Sequence, residues 1–360
     1  MPFFSEDDIK AAKGYKYNGK DDSIIVRLIY RSFWNWLIEF FPKSIAPNMI
    51  TFIGWTFEVV SFVISFCLSD KMTKPLPPWA CLMNGICLAI YQCLDNLDGR
   101  QARRTGLSSA LGQFFDHGCD ALTGAFELAK VSMSLQLSHE KAFWFIYVMG
   151  IGFGFTSWEE FVTHAFYLGY INGPDEGLTL LWLVQILACF LPEQTKSLAN
   201  NQITSIIFII AGLATVLLIV FNVLRHCIKT PSIIGRVFGI LPMAILSYIF
   251  IAIFMNSRDS VVDQPYFILS SGLSLQFLAQ NIIISFLTKR KWIRLFTIPT
   301  IIVIGAAAAA AIYPDLNNIS NFWTYYFIVL IGLMFYFDIR AIYGLSHGMG
   351  IPIFTVPKRD

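Results

Sequence analysis

Apolar residues run through the chain in long blocks. After Pro47 ten such stretches follow one another, at 48–69, 78–96, 115–138, 143–166, 178–193, 205–226, 234–255, 265–288, 293–313 and 322–343. Most approach the roughly 20 residues a helix needs to cross the hydrocarbon core. The stretch at 178–193 is short, and that at 115–138 is the least apolar. Ahead of them, SIIVRLIYRSFWNWLIEFFP carries Arg27, Arg31, Asn35 and Glu39 at four-residue spacing. One polar stripe on an otherwise apolar helix predicts an amphipathic helix lying in the membrane interface, closed by Pro42. The first residues, MPFFSEDDIKAAKGYKYNGKDDS, are charged and hold no apolar signal core, so they predict a retained cytosolic segment. The predicted fold class is all-α: a polytopic integral membrane protein of about ten transmembrane helices plus an N-terminal interfacial helix.

Composition agrees. Of 360 residues, 56% are apolar and only 14% charged, against about 25% charged in soluble domains. Mean hydropathy is +0.59. The net charge of +2 excludes an electrostatic nucleic-acid binder. Seven cysteines (Cys67, Cys81, Cys87, Cys93, Cys119, Cys189, Cys227) lie mostly in apolar runs without a CxxC pair, which argues against disulfides or a zinc knuckle.

Basic residues set the orientation. With the N-terminus in the cytosol and ten crossings, 20 Lys and Arg fall on the cytosolic side, among them Arg236, Lys358 and Arg359. Five fall opposite: Lys71, Lys74, Lys141, Lys196 and Arg258. This asymmetry predicts an even number of spans and cytosolic termini. No internal repeat is visible; Gly305 and the alanines to Ala311 read as a small-residue packing face. The organisation predicted is 1–43 as a cytosolic segment with the interfacial helix and 44–226 as a first set of helices. Residues 227–345 follow as further spans, and 346–360 as a cytosolic tail.

The chemistry concentrates between Cys93 and Lys130. Asp95 and Asp98 share a helix face at i, i+3, and Asp116 and Asp120 share another at i, i+4. Four carboxylates at a membrane boundary need cationic neutralisation. Arg100, Arg103 and Arg104 could supply it as a salt-bridge cluster. That reading leaves Gly99, Ala102, Gly106 and Gly112 unexplained, since small residues admit a ligand or helix close to the backbone. Oxygen-only ligands suit Mg²⁺ or Mn²⁺, and two such ions would balance four carboxylates and leave coordination positions for a diphosphate.

The spacing D-x2-D-G-x2-A-R-x8-G-x3-D-x3-D, here Asp95, Asp98, Gly99, Ala102, Arg103, Gly112, Asp116 and Asp120, resembles the signature of the CDP-alcohol phosphatidyltransferases, with every spacing matched. The flanking LDGRQARRTG, LGQFFDHGCD, SIAPNMITFIGW and WEEFVTHAFYLGYINGPDEG are similar to the eukaryotic choline/ethanolamine phosphotransferase branch, from about Ser44 to Gly177.

The resemblance implies transfer of phosphocholine or phosphoethanolamine from CDP-choline or CDP-ethanolamine to diacylglycerol, giving phosphatidylcholine or phosphatidylethanolamine plus CMP. It implies two Mg²⁺ or Mn²⁺ ions on Asp95, Asp98, Asp116 and Asp120. Arg103 and Arg104 would contact phosphate, Gly99 and Ala102 would leave room for the nucleotide, and Gly112 and Asn48 would lie beside it. It further implies about ten spans, with 44–226 as the catalytic helices and 227–345 for lipid access and dimer contacts, a homodimer, and residence in the endoplasmic reticulum or another internal membrane. Two residues are candidates for the base that deprotonates the lipid hydroxyl: His117, whose ordinary pKa lies near 6.5, and Asp120. Glu176, and after it Glu160, is the expected partner that fixes the His117 tautomer.

Other residues read more plainly. His139, His164, His226 and His347 sit at span ends and carry no catalytic expectation. Trp158, Tyr167 and Tyr170 fit an interfacial aromatic belt better than a cage for a quaternary ammonium. Glu127 and Lys130 continue the acidic face as an i, i+3 pair or as pocket lining, and Glu58 should face protein rather than lipid. Competing functions are a prenyltransferase, whose aspartate motifs lie on widely separated helices; a transporter, which would show repeated halves; a silent scaffold; and the same chemistry on ceramide or an ether lipid.

Overall fold

The structure, a computed structural model, describes residues 3–229, 237–319 and 321–357. Arg236, Lys358 and Arg359 lie outside the described residues. Each of the ten apolar stretches coincides with a helix. These are α3 (Pro47–Leu68), α4 (Pro78–Thr105), α5 (Ala110–Ser134), α6 (His139–Thr163), α7 (Leu178–Phe190), α9 (Gln202–Lys229), α10 (Leu241–Asn256), α12 (Pro265–Leu287), α13 (Ile298–Ile312) and α14 (Phe322–Met349). Short helices α1 (Glu6–Lys13), α2 (Arg31–Leu37), α8 (Pro192–Asn200) and α11 (Arg258–Val261) link or flank them. Pro47, Pro78 and Pro265 open their helices at the first position, where the missing N–H costs nothing.

Five of the described helices are long and apolar enough to cross a membrane on their own composition: Pro47–Leu68, Gln202–Lys229, Phe238–Asn256, Pro265–Leu287 and Phe322–Met349. Helices α4, α5 and α6 have the length, at 28, 25 and 25 residues. Many of their polar residues, among them Asn84, Gln92, Glu127, Lys130, Ser157 and Glu159, are buried inside the bundle. The chain is an all-α, multi-pass membrane protein.

Helix α12 is the centre of the bundle. Every residue from Phe267 to Leu287 is buried, and it packs against α5, α6 and α14. Its crossing with α6 is a backbone contact. A Cβ at Gly150 would sit 3.1 Å from the Gly272 carbonyl oxygen, the close approach that small residues allow between membrane helices. Helix α9 lies at the periphery, with Ile203, Ile207, Ile210, Leu217 and Phe221 exposed. In α13, Ala307 and Ala310 are buried.

The expected interfacial helix is present as one helical run. A π turn (Val26–Tyr30) leads into α2 and a 3-10 turn (Ile38–Phe40). Val26, Trp34 and Ile38 pack on Ile50 and Leu97 of α3 and α4. Ile29, Phe33, Trp36 and Phe40 form an exposed apolar stripe at i, i+4, i+7, i+11.

The segment before this helix is a strap. Phe4 and Ile9 fill the space over Gly344 and Gly348 of α14, and Asp8 pairs with Arg290 at 2.8 Å. Then β1 (Gly19–Asp21) runs parallel to β2 (Phe166–Leu168). At the other end of the chain, Thr355 bridges to Ile45, and Phe354 packs on Phe52 and Phe115. Both ends therefore gather on one face of the bundle.

Candidate active site

Three helix ends build the site. The αL backbone of Gly106, at φ +68°, stops α4, and the Ser109 hydroxyl accepts from the Gly112 N–H to start α5. The tight turn brings Asp95 and Asp98 of α4 against Asp116 of α5. One oxygen from each of the three lies within 4.8 Å of the others. Asp98 is buried, and Asp95 and Asp116 are partly open, so the cluster is reachable from one side.

Each carboxylate has a defined setting. The Thr51 hydroxyl, from α3, donates to Asp98. The Tyr91 hydroxyl donates to Asp120 and accepts from Thr123 at 3.3 Å. Asp120 thus stands one turn behind the trio, held by Tyr91. Asp116 Oδ1 is buried without a hydrogen-bond partner.

The salt-bridge alternative fails here. Among the described residues none of the four carboxylates pairs with Arg100, Arg103 or Arg104. Arg100 donates to Asn35 at 3.2 Å and lies over the Trp34 ring at 5.0 Å. Arg104 donates to the carbonyls of Ile38, at 2.7 Å, and Phe41. These bonds tie Arg104 to the end of the interfacial helix, while its Nε is buried without a hydrogen-bond partner. Arg103 is exposed and reaches back over Gly99, where a Cβ would lie 3.4 Å from Nη1. Ala102, one position before it, is partly buried.

An orphaned acidic oxygen, an oxygen-only donor set and uncompensated crowded carboxylates fit a hard divalent cation. Asp95, Asp98 and Asp116 would hold it.

Asn48 donates to the Ile353 carbonyl at 3.0 Å, and its Oδ1 faces Gly112 at 3.6 Å from where a Cβ would stand. It joins the C-terminal tail to the α5 turn. His117 touches Gln113, one turn earlier, at 2.9 Å through Nε2, and its ring meets that of Phe166 at 5.4 Å.

Glu176 does not reach His117. Its Oε1 accepts from the Ser23 hydroxyl at 2.6 Å and the Ile25 N–H at 3.1 Å, and Oε2 accepts from the Asn172 N–H at 3.0 Å. Burial alone would raise its pKa, but these bonds prevail and hold the carboxyl below its ordinary value. The expected pairing is replaced by an anchor for the N-terminal segment. The neighbouring Asp175 behaves oppositely: burial, then the charge of Asp21, pushes it up to about 6. Gln92 pins this loop to α4 through the carbonyls of Pro174 and Asp175, at 3.0 and 2.8 Å.

The aromatic residues weighed as a cage are scattered. Trp158 is buried and donates to the Val237 carbonyl at 3.2 Å, while Tyr167 and Tyr170 are exposed. Glu58 faces protein, bonded to Lys130 at 2.5 Å, and both side chains are fully buried. A cavity of about 300 Å³ lined by Met72, Gln136 and His139 lies at the far ends of α3 and α5 and holds no acidic cluster.

Sequence reasoning missed Thr51, Tyr91 and Gln113. Tyr91 was within reach, because positions 91, 95 and 98 share one face of α4. Thr51 carries no local signal; only the packing of α3 brings it to Asp98.

The family pattern of CDP-alcohol phosphatidyltransferases matches residues 44–278. The chain belongs to this family. Over full length it is 28% identical to choline/ethanolaminephosphotransferase 1 of Arabidopsis thaliana, covering 100% of both chains. It is 30% identical to choline/ethanolaminephosphotransferase 1 of Saccharomyces cerevisiae over 51% of this chain and 48% of the relative. Cholinephosphotransferase 1 of Xenopus laevis is 32% identical, over 52% and 47%. These names support transferase chemistry on a CDP-alcohol in phospholipid synthesis.

Proposed function

We propose that this protein transfers phosphocholine or phosphoethanolamine from the CDP-linked form to the hydroxyl of diacylglycerol, giving phosphatidylcholine or phosphatidylethanolamine and releasing CMP. The observation that carries the reading is the convergence of Asp95, Asp98 and Asp116 at a partly open membrane-helix boundary, with no salt bridge to them among the described residues. One substrate is a soluble anion and the other a lipid, and a boundary site serves both. The full-length similarity to a plant choline/ethanolaminephosphotransferase supports this donor class.

Mg²⁺ or Mn²⁺, as two ions, is the fitting cofactor; when bound it screens diphosphate charge and stabilises the departing CMP. Asp95, Asp98 and Asp116 provide the first ligands, and Asp120, held by Tyr91, completes the second position. Thr51 orients Asp98. Arg103, exposed and without an ion-pair partner among the described residues, supplies charge-assisted bonds to phosphate. His117 accepts the hydroxyl proton of the acceptor, since its imidazole lies one residue from Asp116 and a neutral ring is a better base than a metal-bound carboxylate. The reading places the protein in the endoplasmic reticulum as a homodimer, with the site facing the cytosol.

The test is CMP release by protein purified in detergent, given diacylglycerol, Mg²⁺ or Mn²⁺, and CDP-choline or CDP-ethanolamine separately. Metal-dependent turnover lost in Asp98→Asn supports the reading, and the donor ratio assigns the headgroup. Turnover restored only by ceramide or an ether-linked acceptor would replace diacylglycerol. No turnover with any donor, in protein that still binds CDP, would sink the enzymatic reading. A His117→Ala variant with near-normal rate would move the base to Asp120.

A further inference from the structure

The N-terminal strap pairs with β2, which sets Phe166 against His117, and its side chains are not used by the chemistry above. Residues 15–21 pass beside α5 and the end of α6. Asn18 donates to the His164 carbonyl at 3.0 Å and accepts from the Phe166 N–H at 2.9 Å. The β1–β2 register then sets Gly19 opposite Phe166, whose ring already touches His117. The Tyr17 ring folds back over Gly19 so closely that a Cβ there would lie 2.0 Å from the hydroxyl. A side chain at position 19 would push the Tyr17 ring aside.

The Phe166 ring therefore stands against His117, and the Tyr17 ring lies over Gly19, the β1 partner of Phe166. Tyr15 enters more deeply, with its ring edge-on to Phe286 at 5.9 Å. Its hydroxyl is buried without a hydrogen-bond partner. Burial, then the charges of Glu160, Tyr17 and Asp116, raise its pKa, so this phenol lies in the negative field of the site. Tyr17 feels Glu160, Asp116 and also Arg103.

Glu160, in the last turn of α6, is buried and has no ion-pair partner among the described residues. Aromatic faces around a buried, uncompensated carboxylate attract an organic ammonium. The orphan Tyr15 oxygen can also accept an N–H bond.

We propose that Tyr15, Tyr17, Phe166 and Glu160 form the subsite for the cationic amino group of the CDP-linked substrate, with the N-terminal strap as its outer wall. This deepens the proposed function and rests on it for the nature of the substrate. The strap bridges the two ends of that substrate: Arg103 serves the diphosphate, and Glu160 serves the amine. Tyr15 separates the headgroups. A primary ammonium can donate to its oxygen, whereas a trimethylammonium cannot and relies on the rings.

Binding and turnover test this separately. In the full-length wild type, CDP-choline and CDP-ethanolamine should bind more tightly than CDP by titration calorimetry in the presence of Mg²⁺. Glu160→Gln and Tyr17→Leu should remove that advantage and leave CDP affinity within about twofold. In Tyr15→Phe, kcat/KM for CDP-ethanolamine should fall about tenfold, the size of a lost hydrogen bond to a charged group. The value for CDP-choline should hold, so the donor ratio shifts towards choline. Equal affinity of the wild type for CDP and both donors would overturn the subsite whether or not the protein turns over. So would parallel loss of all three ligands in Tyr17→Leu and Glu160→Gln, which would make the strap structural only. Absence of CMP release alongside tighter binding of the CDP-amines would keep the subsite and remove only the transferase reading.

Discussion

Lys130 carries its ammonium inside the bundle, 2.5 Å from Glu58 and 2.9 Å from the Ser61 hydroxyl, with no solvent exposure. Glu127 lies one turn earlier on the same helix and has one oxygen buried without a partner. Taking these charges from water costs several kcal/mol per ion, so the pair holds α3 to α5 only while both members are present. Lys130→Met should destabilise the protein by about 3–5 kcal/mol, because Glu58 is left as an uncompensated buried charge. The double variant Glu58→Gln with Lys130→Met should recover most of that loss. A melting series in detergent checks both, and a single Lys130→Met change within ~0.5 kcal/mol of wild type would show that the pair is not buried as drawn. The spacing of Glu127 and Lys130 on one helix allowed an intrahelical pair. The structure gives Lys130 to α3 instead.

At the scale of elements, the site depends on how closely helices can approach. The α6–α12 crossing is a contact between Gly150 and Gly272, and a Cβ on Gly272 would lie 2.5 Å from the Ile146 side chain and 3.1 Å from its carbonyl oxygen. Backbone cannot give way as a flexible side chain does. Gly272→Leu should therefore force α6 away from α12 and cost at least the 1–3 kcal/mol of an overpacked core. Since α6 carries Glu160 and leads into β2, the same variant should weaken CDP-amine binding without touching the aspartates. Fluorescence-detected size exclusion after heating would register the first effect and calorimetry the second. A wild-type melting point in Gly272→Leu would mean that the crossing is looser than the structure draws it.

For the whole molecule, what was legible follows from what lipid and local geometry impose. A bilayer demands about twenty apolar residues per span, so helix positions could be marked in advance, and five of the described helices are long and apolar enough to cross. The aspartate pairs were legible because i, i+3 and i, i+4 spacings fix a shared face. What sequence could not give is whatever joins distant segments: Thr51 to Asp98, Asn48 to Ile353, Ser23 to Glu176, and the strap to β2. The same long-range assembly creates a conflict. The fold crowds Asp95, Asp98 and Asp116 within 4.8 Å and leaves Asp116 Oδ1 without a donor, so without a cation the bundle contains mutually repelling carboxylates. A divalent cation that binds only the folded arrangement stabilises it by about 2.7 kcal/mol when present at 100 times its Kd. Mg²⁺ or Mn²⁺ should thus raise the melting temperature, and EDTA should reverse the rise. Asp116→Asn should melt higher than wild type in EDTA, because one repulsive charge is gone, yet respond little to added metal. Both signs follow from the same geometry, and a wild-type melting curve indifferent to divalent metal would remove the cation from the cluster.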